Sequence, residues 1–172
     1  MKTLFISAGH SAKDPGASGH GYTEAEIVTE LRNIVSFYLS RANVAHTVDS
    51  DSTTKNLPLA AAMKLARKAD IAVEFHCNAG PASATGVETL GGPADMACGA
   101  ALCKAIAKVL GIKNRGAKPE ASGQHSRLGF VQAGGLIVEL FFISSASDMA
   151  VYQAKKWLVG KAIADVLINE VS

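Results

Sequence analysis

A chain of 172 residues, 48% of them apolar and 19% charged, is long enough to bury one substantial core and short for two. Its 17 basic and 15 acidic residues leave a formal charge of +2 and no basic stripe, so nucleic acid is not an expected partner. No run approaches the roughly 20 apolar residues that a membrane helix needs, Leu4-Phe5-Ile6 is too short for the core of a signal peptide, and three cysteines (Cys77, Cys98, Cys103) make no paired framework; a monomer without membrane insertion, made in the cytoplasm, is expected.

Residues 3 to 8 are strand formers, and the glycine-rich stretch from Gly9 to Gly21, with Asp14-Pro15-Gly16, predicts a loop at that strand's carboxyl end. From Thr23 the pattern becomes helical. Glu24, Ile27, Val28, Leu31, Val35 and Tyr38 recur on one stripe, while Thr23 and Glu26 are spaced as a capping box. Val44 to Val48 reads as a second strand, Leu57 to Ala69 as an alanine-rich helix and Ile71 to His76 as an apolar third strand. Gly86 to Leu90 is a short strand candidate, and Ala94 to Leu110 a helix stopped by Gly111. Lys113 to Arg127 is polar and reads as a long loop. Leu128 to Gln132 and Leu136 to Phe142 are strand candidates split by Gly134-Gly135, and Ser147 to Leu167 carries a closing helix. Strands alternating with helices predict a single α/β domain over 1–172, a twisted, largely parallel or mixed sheet of about six strands with helices on both faces, and no separate binding domain.

Open sheets of this class hold ligands beyond the carboxyl ends of their strands. His10, His76 and Glu139 fall near such ends, and Glu24 opens a helix reached from the first of them. Two imidazoles and a carboxylate can hold a zinc ion with one position open for water, and a second carboxylate can take that water's proton. Helix geometry favours Glu24 over Glu26, which falls on the polar side with Glu30 and Asn33. Glu139 lies inside Leu136-Ile137-Val138-Glu139-Leu140-Phe141-Phe142, where an unpartnered carboxylate is costly. Glu74 shares the His76 face and either supports that imidazole or pairs with a cation elsewhere, whereas Cys77 points the other way as a core thiol. His46 reads as structural, and His125 as a surface histidine in a polar loop able to reach a ligand.

In the order of its motifs the chain resembles the zinc-dependent N-acetylmuramoyl-L-alanine amidases of cell-wall turnover and phage lysis. The likeness runs through Ala8-Gly9-His10 with Asp14-Pro15-Gly16-Ala17, Gly21-Tyr22-Thr23-Glu24, Phe75-His76-Cys77-Asn78 with Gly86-Val87-Glu88, Asn114-Arg115-Gly116, and Val138-Glu139-Leu140-Phe141-Phe142-Ile143-Ser144. It implies one zinc ion on His10, Glu24 and His76, Glu139 as the catalytic carboxylate, and Asn78 and Arg115 near the substrate. The implied reaction is hydrolysis of the amide joining N-acetylmuramic acid to L-alanine in peptidoglycan, by a phage endolysin that reaches the wall after release from the cytoplasm, or by a bacterial enzyme acting on wall fragments. Two motifs depart from the family pattern: Ser11-Ala12 stand where two glycines usually follow the histidine, and Cys77 where a small residue is usual. A zinc carboxypeptidase or endopeptidase of the stem peptide is the rival enzyme reading, and a catalytically silent wall-binding module the rival from another class.

Overall fold

The computed structural model describes residues 1–123 and 125–172. Its first strand, β1 (Leu4–Ala8), is buried throughout and leads into a loop that carries a two-rung hairpin of β2 (Ser18–Gly19) and β3 (Tyr22–Thr23). Helix α1 (Glu24–Arg41) begins as the capping box requires. Thr23 Oγ1 accepts from the Glu26 backbone N–H while the Glu26 carboxylate accepts from the Thr23 backbone N–H at 2.8 Å. The chain continues through β4 (Thr47–Val48), α2 (Leu59–Ala66), β5 (Ile71–Asn78), β6 (Val87–Gly91), α3 (Met96–Leu110), β7 (Asn114–Pro119), α4 (Gly129–Gln132), β8 (Leu136–Phe142) and α5 (Ala146–Val171).

Six strands form one sheet in the order β4-β1-β5-β8-β6-β7. Every pairing is parallel except β6 with β8, so the sheet is mixed. The larger apolar cluster unites Leu31 and Val35 of α1, Leu102 and Ile106 of α3 and Ile163 and Leu167 of α5 with one sheet face. A smaller one joins Ala62 and Ala66 of α2 and Phe130 of α4 to Phe5, Ala72 and Ile137 on the other. Helices on both faces thus bury the strands from either side, which is why β1 and β8 are apolar almost without alternation.

Two sequence expectations fail here. Residues 114–119 lie within the stretch read as loop, yet they form the edge strand β7; an edge strand with polar, half-exposed side chains carries no period-two signal. Leu128 to Gln132 was expected to be a strand, and Gly129–Gln132 is instead a single helical turn that buries Phe130 and Val131. In so short an apolar run the two periodicities are indistinguishable, and packing decides.

Because the cap both satisfies the first turn of α1 and fixes where Glu24 leaves the loop, Thr23→Ala should cost about 0.5–2 kcal/mol of unfolding free energy. Urea denaturation checks this, and a loss below a few tenths of a kcal/mol would show that the cap contributes nothing.

Candidate active site

At the carboxyl ends of β1 and β5, three side chains from three separate elements converge. His10 Nε2 lies 3.2 Å and His76 Nδ1 3.1 Å from the same oxygen, Glu24 Oε1. One ligand-type atom from each of these residues lies within 4.8 Å of the other two. Ligands held about 2.0–2.1 Å from a tetrahedral ion stand roughly 3.4 Å apart, so the observed spacing suits a small divalent cation. The donor chemistry suits it too: two neutral imidazoles and a carboxylate are a zinc ligand set that keeps a position open.

Each member of the cluster is held from behind. Glu24 is buried at the start of α1, where its Oε2 accepts from the Ala17 backbone N–H at 3.0 Å and its Oε1 from that of Cys77 at 2.9 Å. The Nε2 of His76 contacts Glu74 Oε1 at 3.1 Å, and Glu74 Oε2 accepts from the Ser7 hydroxyl at 3.0 Å. With the Nε2 proton directed at Glu74, the neutral ring presents the lone pair of Nδ1 towards the cluster, the arrangement in which a carboxylate backs a metal-binding imidazole. His10 is anchored through its backbone: Asn56 Nδ2 donates to the His10 carbonyl at 2.8 Å and to Thr29 Oγ1 at 2.8 Å, while Asn56 Oδ1 accepts from buried Arg32, itself ion-paired with Asp49. Glycines clear the space between. A Cβ on Gly9 would collide with the His76 ring, and one on Gly16 (φ +69°) would come within 2.5 Å of Glu24 Oε2 and 2.8 Å of the His10 ring.

Protonation follows from this packing. Burial pulls the two imidazole pKa values down, but the bonds to Glu24, joined by Glu74 at His76, outweigh it and raise both above the ordinary histidine value. Burial resists ionisation of Glu24, and hydrogen bonds from His10 and His76 overcome it, holding the carboxyl well below the usual range.

Glu139 stands beside His76 as its register partner on β8. Its Oε2 is shielded from water and has no hydrogen-bond partner among the described residues. Burial pushes its pKa up to about 7. On the opposite neighbour, β6, its register partner is Glu88, a buried carboxylate in a different state. Glu88 accepts from Arg115 Nε at 2.7 Å, Lys118 Nζ at 2.7 Å and Asn78 Nδ2 at 3.2 Å. Burial opposes its ionisation, but Lys118 and Arg115 prevail and its pKa is lowered.

All four principal residues named from sequence therefore share one rim, and Asn78 and Arg115 meet on Glu88 beside it. A cleft of about 610 Å³ is lined by His10, Glu24, His76, Glu139, Glu88 and Arg115 among others. Exposed His125 also lines it. Of the other residues weighed, Glu74 contacts His76 rather than a cation elsewhere, Cys77 lies in the core, and His46 is satisfied by Ser36 Oγ at 2.7 Å and the Val44 carbonyl at 2.9 Å. Glu88 and the Arg32–Asn56 anchor were missed. Glu88 was open to the reasoning that singled out Glu139, a carboxylate within an apolar strand, whereas Asn56 sits in loop sequence that carries no such signal.

Comparison with known proteins places this geometry in context. A family model described as N-acetylmuramoyl-L-alanine amidase matches residues 4–169. The crystal structure of a Neisseria meningitidis protein provisionally described as such an amidase is similar at 41% identity, covering 98% of this chain and 95% of that one with a TM-score of 0.91. The catalytic domain of the amidase CwlV from Bacillus (Paenibacillus) polymyxa var. colistinus shares the fold, with 24% identity, full coverage of both chains and a TM-score of 0.86. The endolysin of Bacillus phage SPP1 is 29% identical over 168 residues, which are 91% of this chain and 60% of the endolysin.

Two predictions follow from the geometry. Gly9→Ala should force the His76 ring aside and weaken zinc binding about 10- to 100-fold; competition with a chromophoric chelator measures it, and an unchanged affinity would refute the close approach. Because an ion binds only deprotonated imidazole, and because both imidazole pKa values are raised, protons should already compete as the pH falls towards 6.5 from above. Zinc affinity titrated from pH 8.5 to 5.5 should decline from well above pH 6.5, and a decline confined to lower pH would contradict the raised values.

Proposed function

The chain belongs to the N-acetylmuramoyl-L-alanine amidase family and is a hydrolase of that bond in peptidoglycan; from this we propose that His10 Nε2, the Glu24 carboxylate and His76 Nδ1 hold one zinc ion per chain and that Glu139 is the catalytic carboxylate. The observation that carries the assignment is the convergence of the three ligand-type atoms within 4.8 Å, next to a shielded carboxylate oxygen with no hydrogen-bond partner among the described residues. When bound, zinc supplies Lewis acidity towards the amide carbonyl and acidifies water.

The chain's own residues supply the rest. Glu139, with a pKa of about 7, accepts the proton of the attacking water and returns it to the nitrogen of L-alanine as that amine departs. A carboxylate of ordinary acidity would be a weaker base, and one stabilised like Glu88 weaker still. Glu24 stays ionised throughout because its backbone and imidazole donors favour the anion. Asn78 and Arg115 line the cleft with donors to spare after satisfying Glu88, and we assign them to substrate orientation. The likeness to the SPP1 endolysin supports a lytic role, that of a phage lysin made in the host cytoplasm and acting on the wall after release; we assign the monomer as the acting form.

Glu139→Gln should lower kcat by about 10²- to 10⁴-fold while leaving about one zinc per chain by mass spectrometry. Undiminished turnover would remove Glu139 from the chemistry. With digested sacculi as substrate, free L-alanine amino ends should appear, chelation should abolish them and added Zn²⁺ restore them; new amines within the stem peptide in their place would overturn the assigned bond.

A further inference from the structure

The cleft at the metal site does not end there. A second cavity of about 600 Å³ shares His10, His76, Leu128 and Ile137 with the first, so the two are arms of one groove that passes the metal-ligand cluster. The arms differ in how their cations are paired. In the first, the guanidinium of Arg115 is ion-paired at 2.7 Å with Glu88, a carboxylate it shares with Lys118. The second has an apolar floor that includes Leu57, Leu59 and Phe130, and its rim carries Lys13 and Lys55, neither of which forms an ion pair among the described residues. Two acids line that arm: Glu74, buried and engaged by His76 Nε2 at 3.1 Å and the Ser7 hydroxyl, and Asp14, which faces His10 Nδ1 at 3.5 Å and is otherwise open to water.

A substrate whose scissile amide lies at the cluster must send its saccharide into one arm and its peptide into the other. The saccharide of peptidoglycan is an uncharged N-acetylated sugar apart from its lactyl link, whereas the stem beyond L-alanine carries a glutamic acid whose α-carboxyl is free or amidated. Resting on the amidase reading, we propose that the second arm is the stem-peptide subsite and that Lys13 and Lys55 bind the free carboxylate of that stem, making the protein selective for acidic over amidated stems. The apolar floor would take the aliphatic part of the next residue. The first arm, with hydrogen-bonding groups and no unpaired permanent cation, is left for the sugar.

The test uses the zinc-loaded full chain and two soluble muropeptides that differ only in that carboxyl, one acid and one amide. The parent should hydrolyse the acid with a KM several-fold lower. In the Lys13→Ala, Lys55→Ala double variant, KM for the acid should rise roughly 3- to 30-fold, as expected for two exposed charge pairs, the preference for acid over amide should shrink towards one, and added salt should have the same effect on the parent. Both lysines are exposed, so unchanged thermal unfolding and zinc content serve as checks on the variant. If the parent cleaves the muramoyl bond but shows no preference, or the preference survives the double substitution, the subsite is refuted while the amidase reading stands. If the parent cleaves neither muropeptide at that bond, both fall.

Discussion

A carboxylate buried at the start of a helix, with two imidazoles against one of its oxygens, is the constraint around which the rest of this molecule is arranged. Glu24 loses most of its hydration, and an unpartnered carboxylate there would neutralise or destabilise the fold. It is kept ionised by the backbone N–H groups of Ala17 and Cys77, by its place in the first turn of α1, where the helix dipole favours negative charge, and by the imidazoles. These partners come from the loop after β1 and from β5, so charge stabilisation and the gathering of the proposed metal site are one interaction. The glycines at 9 and 16 are its steric counterpart, since side chains there would occupy the volume in which the three groups meet.

The mixed sheet lays out the chemistry beside that cluster. Register places His76 next to Glu139 and Glu139 next to Glu88, a row running from β5 across β8 to β6. Two carboxylates so placed are not equivalent. Glu88 has two cations delivered by the edge strand β7, while Glu139 has no direct partner for its shielded oxygen. One is thereby fixed as an anion, and the other is left near the pKa at which it can both take and return a proton. Environments that drive two neighbouring carboxyls apart in acidity are how a single site separates a structural charge from a proton carrier. The antiparallel insertion of β6 matters for this reason, because it brings Glu88 and its cations against Glu139 rather than leaving β8 at the sheet edge.

How far the sequence disclosed this depended on whether a residue's role left a local trace. His10, Glu24, His76 and Glu139 were legible because each breaks a pattern: a histidine after Gly9, an acid heading an apolar helical stripe, and a histidine and an acid in apolar strands. The cap at Thr23 was legible because it is local. What stayed hidden depends on partners far along the chain. β7 looks like loop because its polar side chains serve Glu88 on another strand, and α4 looks like strand because only its packing against α2 selects a helical turn. Glu88 was visible as an anomaly, but its meaning required knowing that β6 lies beside β8.

The Arg32–Asp49–Asn56 network shows the same dependence in the part of the site that has no ligand of its own. An ion pair buried this deeply seldom adds much net stability, since the desolvation of both charges offsets their attraction, and Arg32 is fully buried beneath the loop that carries His10. Its effect is better sought in geometry. Arg32 orients the Asn56 amide, so that Nδ2 faces the His10 carbonyl and Thr29, and Asp49 lies within 3.4 Å of the Ala8 backbone N–H. The strand end and the first residue beyond the glycine are therefore tied to α1, the helix that supplies Glu24. Two members of the proposed ligand set, separated by fourteen positions in sequence, are thus referred to one rigid element, and the third, His76, lies beside the same carboxylate, which the backbone of its neighbour Cys77 also engages. A flexible loop histidine would have to be ordered by the ion each time it bound. Here that ordering is done in the fold, by buried polar groups whose contribution is position rather than stability.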